Sequence, residues 1–146
     1  MGGCYPGPRV VNQVGAVRRA TVTDVRKPRL TPGPSHPITV TANPRRVTVR
    51  VAGRTIADTS RAQTLQESSY PAVLYVPRED ADLTLLEPTD HRTYCPYKGD
   101  ASYFSIRTED GTVKNAVWSY ETPYDAVPEI AGHLAFYPDK VEVTEH

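Results

Sequence analysis

Two cysteines, one tryptophan, one methionine and two phenylalanines in 146 residues leave little to staple or to ligate with. Cys4 and Cys95 cannot supply the disulfide framework of a small secreted domain, so the simplest expectation is two free thiols in a reducing compartment. Charge of one sign is also missing, since 17 Lys and Arg balance 17 Asp and Glu. Nucleic acid and anionic membrane surfaces both reward an excess of cations, so neither is an expected partner. No apolar run approaches the ~20 residues that cross a bilayer. The opening "MGGCYPGPRV" lacks the apolar stretch of a secretory leader, and Pro6 stands where myristoylation wants Ser or Thr. These absences together predict a soluble, cytoplasmic protein.

Other absences narrow the chemistry. No Gly-rich loop precedes a helix, and "YKGDASY" lacks the glycine spacing that lets backbone amides cradle a phosphate. Lys98, Arg78 and Arg92 would have to form an anion-binding corner by themselves; otherwise they are surface charge. Structural zinc usually takes four Cys or His ligands in paired spacings. Here His91 and Cys95 make one loose pair, and a metal would have to recruit His133 and Glu67 or Asp58. Neither a metal nor a cofactor is expected.

What the chain does have is proline, glycine and tyrosine. Pro6, Pro8, Pro28, Pro32 and Pro34, with five glycines and a basic run from Arg26 to Arg29, break up residues 1–35 without any sustained period. Too few apolar groups gather there to offset the entropy of ordering, which predicts a flexible extension, with "VGAVRRATVTDV" at most transiently structured. The folded domain is expected over 36–146. From there strands dominate. Val47, Val49 and Val51 alternate with Thr48 and Arg50, as in a half-buried strand, and Gly53 turns the chain into "RTIADT". Ser60 with Gln63 has the spacing of a capping box and predicts a short helical turn through "RAQTLQE". "AVLYVP" reads as a buried strand closed by Pro77, with "ADLTLLEP" as its successor. "SYFSIRT" and "NAVWSYET" flank an Asp110-Gly111 hairpin. Asp125, Pro128 and Gly132 frame a brief helix before "HLAFYP" and "VEVTE". About eight strands and one or two short helices result, without the long helices that parallel pairing needs. The fold class is all-β: a small antiparallel β domain.

"TYCPYKGDASY" (93–103) is the densest stretch of reactive side chains. A lysine ammonium close to a thiol stabilises the thiolate, so Lys98 beside Cys95 is a route to a nucleophile; the plainer reading is a small buried residue entering a turn. Nine tyrosines offer apolar bodies with polar tips, which suits a pocket wall, an interface or simply a β-sheet core.

The run from "HPITVTA" to "GDASYFSI", followed by "AVWSYETPYDAVPEIAGHLAFYPDKVEV", resembles the bacterial family catalogued as domain of unknown function 427 over residues 36–143. Its most specific elements are "ADT" (57–59), Glu67, "YVPRED" (75–80), "TYCPYKGDASY", "WSYE" (118–121) and "IAGHLAFYP" (130–138). The resemblance implies a fold like the β-tent, related in shape to methionine-sulfoxide reductase B and the ligand-binding domain of cereblon. The zinc held on two CxxC pairs in many such folds cannot be carried over, because neither pair is present. A nucleotidyltransferase label attached to the family finds no support either: no Gly-Ser is followed by paired aspartates, and "DAD" at 80–82 stands alone.

The resemblance places Asp58, Glu67, Tyr75, Arg78, Cys95, Lys98, Tyr103, Trp118 and Tyr120 in the recognisable segments, and they are expected to line one pocket between the sheets. In an enzyme, Cys95 or Lys98 would do covalent or electrostatic work while Asp58 or Glu67 moved protons. In a binding module, Tyr75, Arg78, Tyr103, Trp118 and Tyr120 would enclose a small molecule. A third reading is an assembly protein that uses exposed tyrosines and strand edges to form a homodimer.

Overall fold

The computed structural model describes residues 28–146. Most of the expected extension, with Cys4 and "VGAVRRATVTDV", therefore lies outside the described residues. Residues 28–35 lie against the domain: the Leu30 amide donates to the Pro96 carbonyl at 2.9 Å, and Gly33 and His36 bridge. No helix of the described residues is long and apolar enough to cross a membrane.

Ten strands follow: β1 (Ile38–Asn43), β2 (Val47–Val51), β3 (Arg54–Thr59), β4 (Ala62–Glu67), β5 (Val73–Tyr75), β6 (Leu86–Cys95), β7 (Gly99–Thr108), β8 (Gly111–Ser119), β9 (Ala135–Phe136) and β10 (Glu142–Glu145). They form three antiparallel sheets, ordered β1-β4-β5, β10-β2-β3 and β6-β7-β8-β9. The all-β expectation holds. The predicted helices do not form as such, and the described residues hold only 3₁₀ turns at Arg78–Asp80, Leu83–Leu85 and Pro128–Ile130.

Alternation explains the short strands. Val47 and Val49 are buried while Arg50 is exposed. Val51 pairs with Arg54, so Ala52 and Gly53 alone make the turn, at φ +52° and +76°. Two left-handed centres are what a two-residue hairpin with the natural strand twist requires, and Asn-Gly satisfies that better than Ala-Gly. Ala52→Asn should therefore raise the urea midpoint at unchanged slope, by about 0.5–1 kcal/mol, because alanine bears a Cβ penalty in this conformation.

Three sequence expectations are corrected. "RAQTLQE" is mostly strand: Ala62–Glu67 pairs with β1 on one side and β5 on the other, and those ladders outweigh the local capping signal. The hairpin between β7 and β8 turns one residue earlier than expected, because Thr108 pairs with Gly111 and leaves Glu109 and Asp110 as the loop. "ADLTLLEP" is a 3₁₀ turn leading into the long β6, which continues through Pro88. Proline is tolerated there because β6 is an edge strand and its register shifts between Pro88 and Arg92.

The long strands serve two cores. Cys95, Ala101, Tyr103 and Trp118 pack with Leu65 and Tyr75 in one; Leu86, Ile106, Ala116 and Val117 pack with Val49 and Ile56 in the other. A second register shift falls between Phe104 and Ile106. An extra residue in a strand reverses the alternation, which is how Ile106, three residues after Tyr103, is also buried, in the second core.

Candidate functional site

The first core contains unusual residues. Its polar end is built from the terminus of β4, the turn between β6 and β7, and the segment before β1. Glu67, the last residue of β4, is only 3% exposed, and Lys98, in the turn, 2%. Lys98 Nζ donates to Glu67 Oε1 at 2.7 Å, while His36 Nε2 lies 2.7 Å from Oε2, so both carboxylate oxygens are engaged. The His36 ring stacks on Tyr97 with centroids 4.2 Å apart and planes within 6° of parallel. Its other nitrogen, Nδ1, lies 3.3 Å from Ser68 Oγ.

The turn that presents Lys98 is held tightly. Its amide donates to the Cys95 carbonyl, its carbonyl accepts from the Tyr124 amide at 2.9 Å, and the chain then leaves through Gly99 at φ +110°. Few side-chain-bearing residues adopt that conformation. Burial lowers the Lys98 pKa, and Glu67 acts against that by favouring the ammonium.

Tyrosine hydroxyls continue the polar interior. Trp118 Nε1 donates to the Tyr75 hydroxyl at 3.2 Å. The Tyr103 hydroxyl sits 3.0 Å from Thr93 Oγ1 and 3.2 Å from the Tyr137 hydroxyl. Desolvation raises the pKa of Tyr75, Tyr103, Tyr120 and Tyr137 above the ordinary phenol value, and the negative charge of Glu67 raises Tyr75 and Tyr120 further. All four are neutral phenols at pH 7. Tyr120, fully buried, has the one buried side-chain oxygen or nitrogen among the described residues without a hydrogen-bond partner. Behind them, an apolar cleft of about 110 Å³ has Trp118, Tyr137, Phe136 and Val73 in its wall.

The structure thus brings together Glu67, Cys95, Lys98, Tyr75, Tyr103, Trp118 and Tyr120 in and beside one core. Asp58 is outside it, exposed on β3 and forked to Arg46 at 2.9 and 2.7 Å; those hydrogen bonds hold its carboxyl below the usual range. Arg78 is outside it too. Its guanidinium binds the Gly132 carbonyl, Ser119 Oγ and, at 2.6 Å, Glu121. Arg92 donates to the carbonyls of Thr89 and His91, so Lys98, Arg78 and Arg92 form no common anion-binding corner. His91 packs its ring edge on Tyr103, and among the described residues no three His, Cys, Asp or Glu side chains are grouped to hold a metal.

Cys95 requires a correction. Lys98 Nζ is 3.6 Å from its sulfur, as the spacing suggested, but Cys95 is disulfide-bonded to a partner outside the described residues. No free thiol occurs among the described residues, so Cys95 offers no thiolate nucleophile here, and it no longer supports the free-thiol argument for a reducing compartment.

The sequence profile of a domain of unknown function, DUF427, matches residues 39–146. The chain belongs to this family. No curated protein matches it. The match begins just after His36, so Glu67, Ser68, Tyr97, Lys98 and the core tyrosines lie within the matched residues and His36 immediately before them. His36 and its partners Ser68 and Tyr97 are the site residues that sequence reasoning missed. The only signal was that the family-like run opens at His36, which marked a boundary rather than a role.

Proposed function

We propose that this DUF427 domain binds a small molecule in its tyrosine-lined interior, with a polar head at Glu67 and Lys98 and an apolar body toward Trp118. The observation that supports this most directly is the Tyr120 hydroxyl. A buried donor left unpaired costs roughly 1–3 kcal/mol, so a domain that served only to fold would do better with phenylalanine there. The buried Glu67–Lys98 pair argues the same way. Desolvating two charges costs several kcal/mol per ion, and apolar residues of similar volume are often as stable or more so. Ligand pockets combine apolar and aromatic walls with a few fixed polar groups, the same kinds of residue that this core contains. Binding is favoured over covalent thiol catalysis because the Cys95 sulfur is already in a disulfide.

Tyr120→Phe tests the reading. The free domain should become more stable by about 1–2 kcal/mol as the unpaired hydroxyl is removed. At the same time, the melting-temperature increase given by any small molecule recovered from native mass spectrometry of the purified chain should shrink. A Tyr120→Phe domain less stable than the parent would mean that the hydroxyl is satisfied internally, and the proposal would lose its main support.

A further inference from the structure

The His36 imidazole sits as a ligand would. One face lies flat on Tyr97, one nitrogen meets a carboxylate oxygen of Glu67, and the other meets the hydroxyl of Ser68. Its side chain is 14% exposed and Glu67's 4%. Ser68 itself holds a left-handed backbone at φ +49°, uncommon outside glycine and found preferentially where a side chain must be aimed. Tyr97, Glu67 and Ser68 belong to the DUF427 domain; the imidazole arrives on a strap that precedes the matched residues.

That strap is fastened by a few contacts. The Tyr94 hydroxyl donates to the Pro28 carbonyl, Leu30 bonds to Pro96, and the Arg29 guanidinium lies 4.1 Å from the centre of the Tyr124 ring. Arg29 also reaches Asp125, but at 4.0 Å and with both side chains more than half exposed, a pair of little strength. Beside it, an open cleft has Leu30, Pro32, Tyr97, Tyr124 and Ala126 in its wall.

We propose that Tyr97, Glu67 and Ser68 are a binding site for a planar group carrying two nitrogens on one carbon, such as an imidazole, amidine or guanidinium, and that His36 is its occupant when the strap is down. The aromatic face selects planarity and favours positive charge. The carboxylate and the hydroxyl, one for each nitrogen, select the N–C–N edge, and the charge-assisted contact to Glu67 is the stronger of the two. Because the site and its occupant are on one chain, an incoming ligand competes with a tethered imidazole at high effective concentration. The assignment rests on Glu67 being part of a ligand site and adds to it the class of head group that Glu67 receives.

The test uses the full chain with His36→Ala. Imidazole or acetamidine at millimolar concentration should restore most of the lost melting temperature and shift the Tyr97 ring resonances, whereas thiophene, flat and similar in size but without nitrogen, should do neither. His36→Ala,Ser68→Ala should weaken the rescue several-fold. In the parent chain, imidazole at roughly 0.5 M, above the millimolar effective concentration of the tethered ring, should speed amide exchange across residues 30–37 as the strap lifts, which keeps the test available if His36→Ala does not fold. A folded His36→Ala chain indifferent to imidazole, rescue by thiophene equal to that by imidazole, or strap exchange unchanged in the parent would each overturn the proposal. Imidazole rescue alongside a Tyr120→Phe domain that is destabilised would leave this site standing and remove the larger tyrosine-lined one.

Discussion

Lys98→Met should destabilise the domain by about 3–5 kcal/mol, and Glu67→Met added to it should return most of that loss. The physical reason is an asymmetry. Together the two charges satisfy each other at 2.7 Å in an interior that excludes water. Without Lys98, the Glu67 carboxylate would lose its ammonium partner in the core and keep only the His36 contact on its other oxygen. The double variant removes both charges and leaves two flexible apolar side chains of suitable length, which methionine provides with little strain. Urea denaturation of the four proteins gives the coupling directly, since the pair is in contact and its single effects cannot be additive. If the two single losses simply added, Glu67 and Lys98 would not be acting as a buried pair, and the polar end of the site would have to be drawn differently. If the double variant equals or exceeds the parent in stability, the charges are not there for folding, which strengthens the case that they serve a ligand.

How much of this was visible beforehand depends on whether the partners are close in sequence. Val47 and Val49 declared their strand because period-2 alternation is local, and Cys95 with Lys98 declared a close approach because a turn of three residues permits little else. Glu67 is different. Its two partners, His36 and Lys98, lie 31 residues away in each direction, so no window of sequence contains the cluster. A carboxylate at the end of a strand reads as solvent-facing until pairing on both sides of β4 covers it. The family likeness put Glu67 in view for another reason, as a polar residue within a recognisable segment, and it did the same for Asp58 and Arg78, which the fold sends to the surface. Likeness marks segments; it does not say which side chains of a segment turn inward. Pro88 shows the converse: proline breaks a central strand, yet the edge strand β6 runs through it beside a register shift.

The interior also predicts an unusual dependence on alkaline pH. A tyrosine whose folded pKa lies above its unfolded value of about 10 contributes stability that is complete below pH 10 and is lost as pH rises above it, because the native state holds protons that the unfolded state has released. Tyr75, Tyr103, Tyr120 and Tyr137 are all raised in this way, mainly by burial. Each fully buried phenol adds a slope of about 1.4 kcal/mol per pH unit, so Tyr75 and Tyr120 alone would remove about 2.7 kcal/mol per unit above pH 10. Lys98 has the opposite sign. Its pKa is lowered by burial, so between that value and about 10.4 the unfolded chain binds the extra proton and stability rises with pH. The expected profile climbs gently on the mildly alkaline side and then collapses. Urea unfolding from pH 8 to 11.5 should show the collapse halved in slope for its Tyr120 and Tyr75 share in Tyr120→Phe, and the preceding climb diminished in Lys98→Met,Glu67→Met. Phenolate absorbance from the core tyrosines should appear only as the fold is lost. Reversible titration of every tyrosine near pH 10 with the fold intact would mean that water already reaches Tyr75 and Tyr120, and a closed interior awaiting a ligand would no longer describe this core.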